Sequence, residues 1–385
     1  PVLTAIVQSV PPQQLPAVVS NLASQAPVPG WISGVIQQVP LGQLSAIQHP
    51  NISGEVQQSI AAAKTVLSQT TTLLQGLGLE NAGKIMSAVS QQLSVSQLQS
   101  LGTIFASSKA VAAVVSQVAQ QLSPSQVQSL LTGLAAMGSE KGIVLMQSLS
   151  SFSPNVQQGF MNGLAQLNPA QIQSFMKALA SMPAENLQAF MNALSKLSPQ
   201  QVQTFIQLLG AMPQDSLQAL MGALAKLSPK QVANLVQALA SLPKGNLQAL
   251  MNALGKFSPR EVQAFIQTLA SLPADKLQTL MKAFSQISPD QLTFLMATFK
   301  NIPVQQLTII LGNISNLKPE VLAAALQMLK DMGISAKDSL LILNELGKLA
   351  GKNLNNQDQF SFSLLYLQFR KSLLSMKLDA YIAIL

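Results

Sequence analysis

Cysteine is absent from the sequence, histidine occurs once, and charged and aromatic residues contribute only 9% and 4% of its 385 positions. Without cysteine there is no disulfide scaffold and no thiolate metal site. Charge is far below the roughly 25% of an ordinary globular domain, so the surface has to be built from Gln, Ser, Asn and Thr. Arginine is rarer still, at Arg260 and Arg370. The net charge of +8 is thus spread over isolated lysines. Nucleic-acid binding needs clustered cations and stacking aromatics, and the sequence argues against it. Long apolar runs are missing too. Residues 1–54 hold no Lys, Arg, Asp or Glu, but Pro11, Pro12, Pro16, Pro27, Pro29 and Pro40 interrupt them. No stretch there reaches the roughly 20 apolar residues of a membrane span.

What is present is an apolar content of 48%, too high for a disordered chain, and a repeat. A 15-residue unit runs without insertion from Ser153 to Met332, with starts at Ser153, Asn168, Pro183, Ser198, Pro213, Ser228, Pro243, Ser258, Pro273, Ser288, Pro303 and Lys318. From Pro183 to Leu317 two flavours alternate, one opening on Ser-Pro and one directly on Pro, so the sequence repeats in pairs of 30 residues. Apolar residues recur at unit positions 5, 8, 9, 12 and 15, as in Val202, Phe205, Ile206, Leu209 and Met212. Steps of 3, 1, 3 and 3 put them on one helical face, and strand alternation is absent. The expected fold is an all-α solenoid or superhelix of 15-residue helical units paired into 30-residue repeats. Looser copies extend it over residues 79–347, with upstream units near Leu79, Ser94, Ser108, Ser123 and Gly138 and a last one from Gly333 to Gly347.

The unit ends fit this reading. Ser before Pro supplies an N-cap acceptor and a preset φ at the first helical position. Acids at position 3 (Glu185, Asp215, Asp275, Asp290, Glu320) and lysines at position 14 (Lys196, Lys226, Lys256) complement the helix dipole. Small residues at position 11 (Ala178, Ala193, Ala223, Ala238, Ala253) allow close helix approach, and Met at position 9 (Met176, Met191, Met221, Met251, Met281) reads as core filler. Gln recurs at position 6 in Gln173, Gln188, Gln203, Gln218, Gln248, Gln263 and Gln278. Position 6 lies about 100° from position 5, at the edge of the apolar face. These glutamines form either a hydrogen-bonded ladder between repeats or a solvated border.

Flanking regions depart from the pattern. Residues 1–54 read as an uncharged, Pro- and Gln-rich segment of divergent repeats, with Leu15, Val18, Val19 and Leu22 at positions 5, 8, 9 and 12. Residues 55–78 read as one longer helix whose Val56, Ile60, Ala63, Leu67, Thr70 and Leu74 form a heptad-like seam, either a brace along the solenoid or an intermolecular pair. Residues 348–385 read as a linker and an apolar tail in which Phe360, Phe362, Leu365, Tyr366 and Phe369 are candidate interaction residues. The tail caps the last repeat or docks on a partner. Pro1 in place of Met is consistent with a processed mature chain or a fragment.

Chemistry-bearing patterns are sparse. Gly78, Gly83 and Lys84 match G-x-x-x-x-G-K, but Ile85 follows where a P-loop needs Ser or Thr, and the context is helical. His49, the one imidazole, stands in a loop-like stretch near a single carboxylate, Glu55. That cannot make a triad or a three-ligand metal site locally. The carboxylates are dispersed, without the pairing that acid/base catalysis requires. The Asn51–Ser53 and Asn313–Ser315 sequons matter only in a glycosylating secretory route. The chain is therefore expected to be non-enzymatic, without cofactor or metal.

Short helices punctuated by Ser-Pro and Leu-Pro, as in Leu227-Ser228-Pro229-Lys230-Gln231-Val232 and Leu242-Pro243, resemble the superhelical N-terminal domain of MgtE-type magnesium transporters and the armadillo-like modules of the flagellar rotor protein FliG. The resemblance covers mainly Ser123 to Met332 and implies a short-helix superhelix used for protein contacts. The acidic residues that sense magnesium in the first family have no counterpart here. The expected role is a structural or scaffold subunit of a secreted, periplasmic or extracellular assembly, acting by self-association or within several subunits. The alternatives are a carrier of apolar ligands between Met- and Phe-lined helices, or a peripheral membrane binder acting through the tail.

Overall fold

A computed structural model describes residues 10–11, 14–24, 32–47, 49–76 and 81–351. The described chain is all-α and solenoid-like, with 22 α-helices and no strands. The N-terminal part contains α1 (Leu15–Ala23), α2 (Ile32–Ile36), α3 (Leu41–Leu44) and the long α4 (Ser53–Gly76). Short helices follow: α5 (Ala82–Gln92), α6 (Val95–Ala106), α7 (Lys109–Gln121), α8 (Pro124–Met137) and α9 (Ser139–Ser150). The regular repeat supplies α10 (Pro154–Ala165), α11 (Pro169–Ala180), α12 (Ala184–Leu194), α13 (Pro199–Gly210), α14 (Gln214–Leu224), α15 (Pro229–Ala240), α16 (Lys244–Leu254) and α17 (Pro259–Ser271). A second compact unit, beginning at Leu272, contains α18 (Ala274–Gln286), α19 (Pro289–Thr298), α20 (Val304–Ile314), α21 (Pro319–Asp331) and α22 (Ala336–Gly351).

Each repeat unit is one helix, and its core is the apolar set at positions 5, 8, 9, 12 and 15. Val202, Phe205, Ile206, Leu209 and Met212 are all buried, as are Leu217, Leu220, Met221 and Leu224 one unit later. Ser-Pro units start as the dipeptide implies. Ser198 and Ser228 are N-caps with Pro at the first helical position, whereas Pro183, Pro213 and Pro243 themselves occupy the N-cap of the alternate units without a side-chain cap.

In the first unit, most of the extensive packing joins helices three units apart. Thus α10 packs on α13, α8 on α11, α12 on α15, and α14 on α17. Small residues set the approach. A Cβ on Gly133 would lie 2.4 Å from the Met176 Cβ, and one on Gly163 would lie 2.8 Å from the Ile206 Cβ. In both pairs position 11 of one helix receives position 9 of the helix three units on. Ala193 and Ala223 occupy the same place and are buried. Met at position 9 is therefore a core side chain seated on a small residue. Because the step is three units and the sequence flavours alternate, a Ser-Pro helix in the regular region lies against a Pro-start helix.

The long helix α4 behaves as a brace within the chain. It packs against α5 and α6 and buries Val56, Ala63, Thr70 and Leu74 along the seam, while Ile60 and Leu67 are half-buried. Ahead of it, α1 buries Leu15, Val19 and Ala23, and the backbone of the N-terminal part joins the repeats directly. The Leu41 N–H donates to the Leu93 oxygen at 2.9 Å, and the Ser96 N–H to the Gln37 oxygen at 3.2 Å.

In the second unit the last helix is displaced from the sequence register. Gly333 has φ +62° and, with Ile334, adds two residues before Ser335. The Ser335 Oγ accepts from the Asp338 N–H at 3.1 Å and so acts as the cap. The last unit thus starts at Ser335 rather than Gly333 and continues to Gly351, past the boundary expected at residue 347.

Glycines give a direct check of the three-unit packing. Gly222→Ala meets nothing within 4 Å and should stabilise the helix by up to about 1 kcal/mol. Gly163→Ala, on the crowded seam, should destabilise by about 1–3 kcal/mol. Equal melting shifts for the two variants would contradict this packing.

Candidate functional site: an amide-lined surface

Position 4 carries the polar side chains that join the helices. In the Ser-start units it is usually Gln, three residues after the N-cap, and Ser-x-x-Gln is a capping-box pattern. The Ser198 N–H donates to the Gln201 Oε1 at 2.9 Å, and the Gln201 N–H donates to the Ser198 Oγ at 3.2 Å. The remaining amide nitrogen reaches outward. Gln201 Nε2 donates to the Ala240 oxygen at 2.8 Å, Gln231 Nε2 to the Ala270 oxygen at 3.0 Å, and Gln126 Nε2 to the Ala165 and Leu167 oxygens at 3.0 and 2.7 Å. The acceptors are carbonyls at a helix end two units further on, where the backbone has no intrahelical donor left.

Other donors serve the same purpose at this position. Asn186 Nδ2, buried, donates to the Leu224 and Leu227 oxygens at 2.8 Å each, and Lys141 Nζ donates to the Ala180 oxygen at 2.6 Å. Ser216 Oγ approaches the Gly255 oxygen at 3.4 Å. In the second unit the bridges reach other acceptors: Lys276 Nζ donates to the side-chain Asn316 Oδ1, and Gln291 Nε2 to the Ala323 oxygen, inside α21, at 2.9 Å. An inter-repeat ladder therefore exists, two positions before the residues expected to build it. Among the described residues, no side-chain hydrogen bond joins Gln188, Gln203, Gln218, Gln248, Gln263 or Gln278 to a neighbouring unit. Gln173, Gln188, Gln248 and Gln278 are exposed, and Gln203, Gln218 and Gln263 are half-buried. They are the solvated border.

That border is continuous with a second amide row at position 10, four residues on: Gln188 with Asn192, Gln203 with Gln207, Gln248 with Asn252, and Gln263 with Gln267. Residues four apart share a helix face. Where α10 and α13 meet, the row closes into a depression of about 320 Å3 lined by Asn155, Gln158, Gly159, Asn162, Gln200 and Gln203. Gln158 Nε2 donates to Asn162 Oδ1 at 2.9 Å, and Gln121 Nε2 donates to Gln158 Oε1 at the same distance. Gly159 fits because a Cβ there would lie 2.3 Å from the Pro199 oxygen. Such a surface offers donors and acceptors to a neutral hydrogen-bonding partner and has no group that titrates.

The remaining sequence candidates do not converge on this surface. Phe360, Phe362, Leu365, Tyr366 and Phe369 lie outside the described residues, as does Gly78. Gly83 and Lys84 lie in the first turn of α5. His49 Nδ1 accepts from the Asn51 N–H at 3.4 Å, so the ring caps the short turn Pro50–Ile52. The sequon residue Asn313 donates from Nδ2 to Asn344 Oδ1 at 2.8 Å and is part of a helix contact. Among the described residues, no three His, Asp or Glu side chains gather as a metal site, and no single helix is long and apolar enough to cross a membrane. Comparison with known proteins finds no matching family model and no matching curated protein.

Gln201→Ala should cost about 1–3 kcal/mol, since it removes both a cap and a bridge to a part-buried carbonyl. Gln201→Glu keeps the cap acceptor but has no N–H for Ala240, so denaturant melts should place it between wild type and Gln201→Ala. Wild-type stability for Gln201→Glu would show that the bridge contributes nothing.

Lys196, Lys226 and Lys256 are exposed. Changing all three to Gln should shift stability by less than about 1 kcal/mol, because terminal charges in solvent contribute a few tenths each. Calorimetric melting of the triple variant checks this, and a large drop would assign them a structural role.

Proposed function

We propose that the chain is a non-enzymatic scaffold subunit of a larger protein assembly, secreted or envelope-associated, and that it holds its partner or a second copy through the amide rows at positions 6 and 10. The observation that carries this reading is the division of the polar side chains. At position 4, Gln126, Lys141, Asn186, Gln201 and Gln231 are bonded to helix-end carbonyls of another unit, while Gln188, Asn192, Gln248 and Asn252 face solvent. A neutral amide surface makes hydrogen bonds without fixed charge, so its contacts resist changes of salt and pH. The burial of Met176, Met191, Met221, Met251 and Met281 supports this reading over a carrier of apolar ligands, which would need those side chains open to a groove.

Native mass measurement of the full chain from its source tests the proposal. The expected result is an assembly, homomeric or mixed, that keeps its mass between about 50 mM and 500 mM salt, a range that strongly changes charge screening. Replacing Gln188, Gln203, Gln248 and Gln263 by Lys should reduce the assembly to single chains through like-charge repulsion, with helicity unchanged. A chain that is monomeric at source, or an assembly indifferent to the four lysines, would overturn it.

A further inference from the structure

Large apolar side chains left exposed among the described residues are Val304, Ile309 and Leu341, all on α20 and α22. Ile309 is 58% and Leu341 56% exposed, in a fold where core side chains are almost fully covered. These two helices pack together and run parallel. Asn313 Nδ2 donates to Asn344 Oδ1 at 2.8 Å, and Asn316 Nδ2 donates to the Gly347 oxygen at 3.3 Å, so each residue of α20 is level with the one 31 further on. Ile309 is then level with Leu340 and beside Leu341. It shares a face with Asn313 and Asn316, as Leu341 does with Asn344. Toward the C-terminal ends the seam is closed, since a Cβ on Gly347 would lie 2.3 Å from the Asn313 oxygen. One turn earlier it opens and presents Ile309 and Leu341 to solvent.

Ile309 occupies position 7, where the units from Ser153 to Pro273 carry Gly159, Ser174, Ala189, Thr204, Ala219, Asn234, Ala249, Ala264 and Thr279. Phe294, one unit earlier, is also large but half-buried, whereas Ile309 is exposed. Counted from the Ser335 cap, Leu341 also falls at position 7. In the regular repeat this position faces the helix three units on, as Gly159 does against Pro199. For Ile309 that later unit falls beyond residue 351.

We infer that the occupant of this open seam is the chain's own C-terminal segment, residues 352–385, laid back over Ile309 and Leu341. The segment leaves directly from the C-terminus of α22. From Gly351 to Leu341 is ten residues of helix, about 15 Å. The polar stretch Lys352 to Gln359 can span roughly 26 Å when extended, so it reaches back with slack. The large apolar residues begin immediately after it, at Phe360 and Phe362, and continue through Leu364, Leu365, Tyr366, Leu367 and Phe369. Covering the seam with them completes the last repeats as a further unit would.

The absence of cysteine makes cross-linking a clean test. In the full chain, Leu341→Cys is combined in turn with Phe362→Cys, Tyr366→Cys and Phe369→Cys and oxidised. Leu341 is exposed, so the variants should fold, and circular dichroism confirms that they do. At least one pair should close within a single chain, at a rate independent of protein concentration. Ile309→Glu should slow that closure about tenfold by removing apolar cover from the seam. Disulfides that join two chains, with a rate rising with concentration, would overturn the inference in favour of a second copy on the seam. Failure of all three pairs to close, or closure unaffected by Ile309→Glu, would also overturn it.

Discussion

The rest of the structure depends on helix ends. A helix of 11 or 12 residues, the usual length here, leaves four N–H groups and four carbonyls without intrahelical partners. Unpaired groups are thus a large share of its backbone. A chain of such helices is stable only if those ends meet something other than water where they are buried. The position-4 side chain supplies that meeting point. Its oxygen accepts from its own N-cap and its nitrogen donates to the last carbonyls of a helix two units later, as Gln201 does between Ser198 and Ala240. One amide therefore closes two ends, and it does so only when the units are stacked in register.

The same requirement explains why repeat length is kept so strictly. Inserting a residue between Gln201 and Ala240 would rotate the acceptor by about 100° and leave both a donor and a carbonyl unsatisfied. Knobs at position 9 would also miss their small partners at position 11. Where two residues are added, at Gly333 and Ile334, the packing changes accordingly. There α22 lies against α20, two units back, and Asn313 and Asn316 make the helix contacts in place of the Gln clamp.

Much of this was legible from residue spacing. Five apolar positions per unit specified the buried face, Ser-Pro specified the helix starts, and the steps of 7, 7 and 4 through Val56, Ala63, Thr70 and Leu74 specified a long helix with one seam, leaving open whether that seam braces the chain or pairs with another. The three-unit step was not, because the strongest periodicity in the sequence, the alternation of Ser-Pro and Pro starts, has a period of two units. That alternation reports which cap opens each helix; the packing partner is set by how the helices turn in space. The ladder was misplaced for a related reason. Gln at position 6 is more frequent and more regular than the mixture of Gln, Asn, Lys, Ser, Glu and Val at position 4, yet regularity is a poor guide to bonding. Where position 4 bridges units it needs only a donor of suitable reach, so Gln, Asn, Lys and Ser all serve there, while Val156 and Glu261 fill the place without donating. The capping-box pattern from Ser198 to Gln201 was the available signal.

Position within the turn, rather than residue type, decides what a glutamine does in this fold. At position 4 the side chain lies over the entry to a neighbouring loop, and backbone carbonyls bind it. Two residues later, at position 6, the same side chain points roughly 200° away around the helix and meets solvent. The sequence thus obtains a rigid interior and an uncharged exterior from one amino acid. Low charge fits the architecture: once amides satisfy most helix ends and fill the border, ionic groups remain at exposed termini and at a few bridges such as Lys141 and Lys276. There an ion pair such as Lys348 with Glu345 at 2.7 Å contributes little.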